Sequence, residues 1–382
     1  MTLASPGARM RPARRRRGVT AVSALLLLVL TGCARFDDAA SSPFSPEPTA
    51  GPAEVGPRTD RPPTSTSRPP RPSGPCIDPD PNVVATCLDT TGGIVVLPDG
   101  SGALIAERRT GRILRVAPEL PAAEIARIDV DGSSDGGLLD LALSPTFLED
   151  GLIYAYITTG SDNRVVRIAA GDTPKPVLEG IPRGATGNAG ALDFVNENEL
   201  VVLTGDAGNP AAAADPGSLA GKLLRLDRPN VGQPATPRVV VSGIGVAGDV
   251  CLEPGGTIWV TDRTGVEDRL QKVNPEGAVS SAWTWPDRPG VAGCAAGSGV
   301  VAVALTGARA VAMMTVDQGT GSITAAPTLL AQNQYGQLGG ATPGPDGAIW
   351  VGTVNKTGGE PGPNDDRVVR IPLPGDGGGG PD

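Results

Sequence analysis

The sequence predicts an all-β chain and, within that class, a six-bladed β-propeller. Three observations carry this: a strand-and-turn unit recurring about every 50 residues, a composition of 54 glycines and 39 prolines against eleven aromatic residues, and strand-length apolar runs bounded by Gly, Pro, Asp or Asn. The unit has two phrases. The first is a turn followed by an apolar strand: LPDGSGALIAE at 97–107, FLEDGLIYAYI at 147–157, FVNENELVVLTGD at 194–206, LEPGGTIWVTD at 252–262, AAGSGVVAVAL at 295–305 and GPDGAIWVGTV at 344–354. The second follows after a short polar turn: GRILRV at 111, NRVVRI at 163, GKLLRL at 221, DRLQKV at 268 and DRVVRI at 366, with ARAVAMMTV at 308–316 as a degenerate sixth copy. Its basic residues, Arg112, Arg164, Lys222, Arg269 and Arg367, are 52, 58, 47 and 98 residues apart, the last gap being two periods. One blade cannot bury both faces of its sheet, so stability requires a closed ring. Each basic residue is expected to lay its stem on apolar surface and keep its head in water. A pair of β-sandwiches is the alternative, and it would not need so regular a period.

In chain order, residues 1–32 read as an export signal. Six arginines (Arg9, Arg11 and the run 14–17) precede an apolar stretch over 19–30, and small residues then lead to Cys33. This is a lipoprotein signal pattern, in which Cys33 is lipidated and becomes the new N-terminus. A membrane-spanning anchor is the alternative, but the run falls short of the about 20 residues a span needs. Residues 33–75 form the next segment. From 41 to 75, eleven of 35 residues are proline, which suits a disordered, semi-rigid spacer of at most about 110 Å. The propeller is expected over 76–373 and a disordered Gly-rich tail over 374–382. The expected location is the extracytoplasmic face of the cell membrane, with the lipid as the membrane contact.

Four cysteines follow Cys33. In an exported chain an even count reads as disulfides, and the favoured pairing is Cys76 with Cys87 and Cys251 with Cys294. The second pair closes a loop of about 44 residues, worth roughly 4 kcal/mol. Their spacing lacks a C-x-x-C knuckle, which argues against zinc. Without the first 32 residues the chain carries 26 basic and 41 acidic residues. Such a surface repels nucleic acid, so none is expected as a partner. The chain has no histidine, so the usual general base and the commonest transition-metal ligand are both missing.

Several phrases, in order, resemble the glucose/sorbosone dehydrogenase family: GLLDLALSPTFLEDGLIYAYIT (137–158), GDAGNPAAAADPGSLAGKLLRLD (205–227), WTWPDRPGVAGCAAGS (283–298), VVAVALTGARAV (300–311) and GPDGAIWV (344–351). The resemblance spans about 88–372. It implies a six-bladed propeller whose active members bind pyrroloquinoline quinone (PQQ) and calcium and oxidise sugars. It also implies that Ser144 stands where active members place a proton-accepting histidine. The family's quinone-holding Arg-Asn-Pro-Gln-Gly segment corresponds to Ile244, Gly245, Val246, Ala247 and Gly248, and a later Arg-x-Arg-Asp to Gln337, Leu338, Gly339 and Gly340. On that basis no catalytic residue is assigned, no cofactor is expected and PQQ is disfavoured.

What remains is a set of polar residues at strand entries: Asp135, Asp140, Asp193, Asp206, Asn209, Asp215, Asp249, Asp262 and Asn355. Such residues commonly cap turns. In a propeller they can also converge on the central channel, where oxygen ligands would suit calcium. Asp135, Asp140, Asp206, Asp249 and Asp262 are the candidate ligand-binding carboxylates, joined by Trp285, which precedes proline in a loop-like segment and could stack on a sugar. The reading is a lipid-anchored envelope propeller that binds a protein or glycan partner without catalysis. The alternatives are a PQQ-dependent sugar dehydrogenase and a calcium-dependent lactonase-type hydrolase.

Overall fold

The computed structural model describes residues 76–232, 236–297 and 299–374. The signal, Cys33, the Pro-rich spacer and nearly all of the Gly-rich tail lie outside these residues. Six four-stranded antiparallel sheets follow one another along the chain. Blade 1 covers 91–127, blade 2 138–181, blade 3 190–242, blade 4 247–285, blade 5 291–330 and blade 6 338–371. The last blade takes its outermost strand, Val83–Ala85, from the start of the domain, where it pairs with Val368–Ile371 and closes the ring.

The two repeated phrases become the second and third strands of each blade, such as Ala103–Glu107 and Arg112–Ala117 in blade 1. The first strands form the inner ring: Thr91–Val96, Leu138–Leu143, Gly190–Asn196, Ala247–Leu252, Val291–Gly297 and Leu338–Pro343, each in contact with the next and the last with the first. Glycine permits this crowding. A Cβ on Gly293 would sit 2.4 Å from the Ala341 nitrogen, and one on Gly340 would sit 2.5 Å from the Gly92 oxygen. Six apolar clusters fill the six interfaces between blades. Trp259 and Trp350, at equivalent repeat positions, are buried in two of them, as blades packed face to face require.

The recurring basic residues are bound more tightly than expected. Arg112 pairs with buried Glu107, Arg164 with Asp162, Arg269 with buried Asp262, and Arg367 with Asp365. Each acid lies close by in the same hairpin, so the repeat specifies an ion pair and not a solvated head. Lys222 departs furthest. It is fully buried and its Nζ donates to the backbone oxygens of Ala212, Ala213 and Ala220, which pins the long blade 3 loop carrying the short helix Pro210–Ala214. Both expected disulfides are present, Cys76–Cys87 and Cys251–Cys294. The second joins the inner strands of blades 4 and 5. No helix among the described residues is long and apolar enough to cross a membrane.

Candidate functional site at the channel

The six inner strands enclose a cavity of about 240 Å³ on the propeller axis. Its lining includes Asp140, Asp193 and Asp249 from blades 2, 3 and 4, and Arg108 from blade 1. Inner strands have no neighbour on their axial side, so the Asp140 and Asp249 carboxylates take up free N–H groups there. Asp140 accepts from Leu192 N at 2.8 Å, tying blade 2 to blade 3, and Asp249 accepts from Cys294 N at 2.9 Å, tying blade 4 to blade 5. Asp193 accepts from Phe194 N at 2.7 Å. Burial, and then the charge of Asp249, push the Asp140 carboxyl well above the usual carboxylate range. Burial carries Asp193 up to about 6 and, together with the Asp193 charge, Asp249 up to about 7.

A second group forms at the strand-entry end, where the loops entering blades 2 and 3 meet the loop after the second strand of blade 3, and Asn188 stands one residue before Ala189 of the cavity lining. Asp135 accepts from Gly187 N at 2.6 Å and from Asn188 Nδ2 at 2.7 Å. Asn188 is fully buried and also receives Asn163 Nδ2 at 3.2 Å. Asp206 lies beneath Gly187, which has φ +73°, and a Cβ there would come within 2.4 Å of Asp206 Oδ1. Gly208 N donates to that same oxygen at 2.8 Å, while Oδ2 accepts no hydrogen bond from the described residues. Asp206 is 3% exposed, and burial raises its proton affinity, with the Asp135 charge acting in the same direction.

The other residues singled out from sequence do not join these groups. Asp262 is buried, receives Gly245 N at 2.8 Å and pairs with Arg269, a structural role. Asn209 caps the short helix through Ala212 N, Asp215 closes a turn on Gly217 N, and Asn355 bonds Gln337 N and Tyr335 O. Trp285 is 8% exposed and packs in the core between blades 4 and 5, edge-on to Trp283. Ser144 follows the end of its inner strand, donates to Asp150 Oδ2 at 2.7 Å and closes the turn to Leu152. The Asp135 and Asp206 group lies at the start of that strand, where Leu138 N donates to Arg108 O, so six residues of strand, about 20 Å, separate it from Ser144. Arg108 and Asn188 were missed. Arg108 sits in the turn between two repeated phrases that read as structural.

Residues 88–247, blades 1 to 3, match the Glucose / Sorbosone dehydrogenase family. The PQQ-bound aldose sugar dehydrogenase of Streptomyces coelicolor is similar over 76% of this chain and 96% of its own, with 26% identity and a TM-score of 0.68. The fold is glucose/sorbosone dehydrogenase-like. A putative oxidoreductase (glucose dehydrogenase) of Thermus thermophilus is 28% identical over 76% of this chain and 98% of its own, with a TM-score of 0.66. The apo form of the soluble aldose sugar dehydrogenase of Escherichia coli shares the fold at 19% identity, with a TM-score of 0.63 over 76% of this chain and 98% of its own. No curated protein matches the chain.

The PQQ-bound relative overturns the expectation that no cofactor is to be sought and that PQQ is disfavoured. That expectation rested on the joint replacement of the two quinone-holding segments and the base, whereas the sugar-dehydrogenase-like propeller keeps an axial cavity and a buried cation on its wall. For calcium, no group of three or more His, Cys, Asp or Glu side chains among the described residues is arranged to hold a metal ion.

Proposed function

We propose that this propeller is a small-molecule oxidoreductase of the sugar-dehydrogenase type, working at the strand-entry end of the channel. The observation that carries the reading is a buried, unpaired cation on the wall of a cavity enclosed by all six inner strands, with the buried carboxylate of Asp206 in the loops at the end where those strands begin. PQQ is the candidate cofactor, because a relative 26% identical holds it. A tricarboxylate in a buried site needs cationic or N–H donors to offset its desolvation. Arg108 lines the cavity without an acidic partner, so the residues fit at that corner, and Arg108 would hold one carboxylate. When bound, the quinone supplies the acceptor for the two electrons and the hydrogen of an alcohol carbon.

The chain supplies the rest. With no histidine, the hydroxyl proton falls to a carboxylate, and in the loops at the strand-entry end Asp206 has an oxygen that accepts no hydrogen bond from the described residues. Burial raises its proton affinity, which makes it a stronger base than an exposed aspartate. Asp135 and Asn188 fix the loop above it. The test is titration of purified protein with PQQ, read by visible absorbance, followed by aldose-dependent dye reduction. Expected are micromolar uptake and turnover that falls about a hundredfold or more in Asp206→Asn while uptake persists. No uptake at tens of micromolar refutes the reading.

A second reading, a binding module without chemistry, is favoured by the absence of histidine and by the way Asp135, Gly187 and Asn188 satisfy one another. It predicts uptake without turnover and an envelope protein or glycan captured by crosslinking through the loop face in intact cells. In either case we propose that a lipidated Cys33 and the Pro-rich spacer hold the propeller outside the membrane, supported by the signal pattern of residues 1–33. Mass spectrometry of the mature N-terminal peptide tests this, and an unmodified Cys33 refutes it.

A further inference from the structure

Arg108 opens the turn after the second strand of blade 1 and is 8% exposed. Its Nη1 donates to Ser134 O at 2.8 Å and to Gly136 O at 2.6 Å, which fixes the plane of the guanidinium. Nη2 reaches only Thr357 Oγ1, at 3.5 Å, and Nε donates to no group among the described residues. No carboxylate among the described residues forms an ion pair with Arg108. The two whose charge reaches it are engaged elsewhere: Asp89 with Arg109 at 2.7 Å, and Asp135 with Gly187 N and Asn188 Nδ2. Thr357 is itself turned to Thr90, Oγ1 to Oγ1 at 2.7 Å. A buried charge without a partner is costly, and proteins rarely keep one without a use. With Nη1 saturated, the edge left over is Nε with Nη2, the fork that receives a carboxylate through two parallel hydrogen bonds. Because Arg108 lines the central cavity, the missing counter-charge can come from a ligand held there.

We propose that Arg108 forms a carboxylate-binding subsite at the corner of blades 1 and 2, filled by a carboxylate of the cofactor or of an acidic sugar such as a uronic acid. The cofactor source rests on the oxidoreductase reading above, and the acidic-sugar source does not. The acidic chain gathers no anions by its long-range field, so selectivity lies in the buried fork and in what fits the cavity.

Binding of PQQ, glucuronate and glucose is measured by calorimetry on the wild type, Arg108→Gln and Arg108→Lys, with melting temperatures taken in parallel. The wild type is expected to bind at least one of the two carboxylated ligands. Arg108→Gln should weaken that ligand about tenfold or more, the loss of a charge-assisted pair. Arg108→Lys should fall between, because it keeps the charge and loses the fork, and glucose, which has no carboxylate, should not compete with the bound carboxylate on the wild type. Glucuronate weakened with PQQ unbound by the wild type assigns the subsite to an acidic sugar and sinks the cofactor reading alone. PQQ weakened with glucuronate unbound assigns it to the cofactor. Equal affinity in wild type and Arg108→Gln, or no binding of either carboxylate at millimolar concentration, overturns the proposal. Should Arg108→Gln fail to fold, competition on the wild type decides: formate has to displace the bound carboxylate more strongly than chloride at equal ionic strength, and failure to do so overturns it equally.

Discussion

Asp249 makes the stability of the ring depend on pH in the direction opposite to an ordinary salt-bridged carboxylate. Its carboxyl is pushed up to about 7 by burial and by the Asp193 charge, against roughly 3.9 in an unfolded chain. Below about pH 4 both states are protonated and the folded state carries no penalty. Between about 4 and 7 the unfolded chain has released the proton and the folded chain retains it, so stability falls as pH rises, and the loss is complete above 7. The interval between the unfolded and folded values sets a ceiling of about 4 kcal/mol, and relaxation of the buried site around the new charge brings the expected figure to about 2 kcal/mol. Asp249→Asn removes the ionisation. It also turns an amide N–H toward Cys294 N or Val250 N, a cost that does not vary with pH. The readout is therefore the change in the variant's stability relative to wild type between pH 4.5 and pH 8, from urea unfolding with the disulfides intact. Expected is a relative gain of about 2 kcal/mol at the higher pH, or about 3 °C in melting temperature for a domain of this size. Asp193 and Asp366, each raised to about 6, remain in both proteins and largely cancel, whereas Asp140, relieved of the Asp249 charge, changes in the same direction and adds to the gain. An effect of Asp249→Asn that is the same at both pH values refutes the account of the channel carboxylates.

Other consequences are as direct. Gly293→Ala should cost about 2 to 3 kcal/mol, because the added Cβ meets backbone of the neighbouring inner strand, whereas Gly297→Ala, with nothing within 4 Å of its Cβ, should cost far less; thermal melts of the two check this. Lys222→Met removes a donor from three carbonyls, of which Ala212 O and Ala213 O keep Asp215 N and Gly243 N while buried Ala220 O is left without one, and should destabilise by about 1 to 3 kcal/mol, read by denaturant unfolding together with faster proteolysis within 205–221. The double change Cys251→Ser and Cys294→Ser should cost about 4 kcal/mol and make the melting temperature insensitive to reductant at that site.

The sequence revealed most where physics repeats and least where it does not. The second and third strands of each blade lie inside the sheet and are packed on both faces, so their apolar runs recur and could be counted. The inner strands, such as TGGIVV and LGGATP, escape that count because their glycines answer to a neighbour distant in sequence: Gly92 is held small by Leu138 O, and Gly340 by Gly92. The outer strands escape it for the opposite reason, since Leu120–Arg127 is almost wholly exposed and has no pattern to keep. The same distinction governs the site. Asp140 and Asp249 could be named because a carboxylate in an apolar strand is locally anomalous, and both do line the cavity. Arg108 gives no such signal, for it stands beside Arg109 near the structural pair Glu107 and Arg112, and only the fold shows that it has lost its water without gaining an acid. Ser144 carried the opposite lesson. Its neighbours in sequence suggested a reacting position, yet the strand that precedes it runs away from the Asp135 and Asp206 group and ends in a turn closed by Asp150. A polar residue in a propeller therefore has to be assigned by the end of the strand it occupies. By that criterion Arg108, Asp135 and Asp206 form the group on which chemistry at this end of the channel would have to be built.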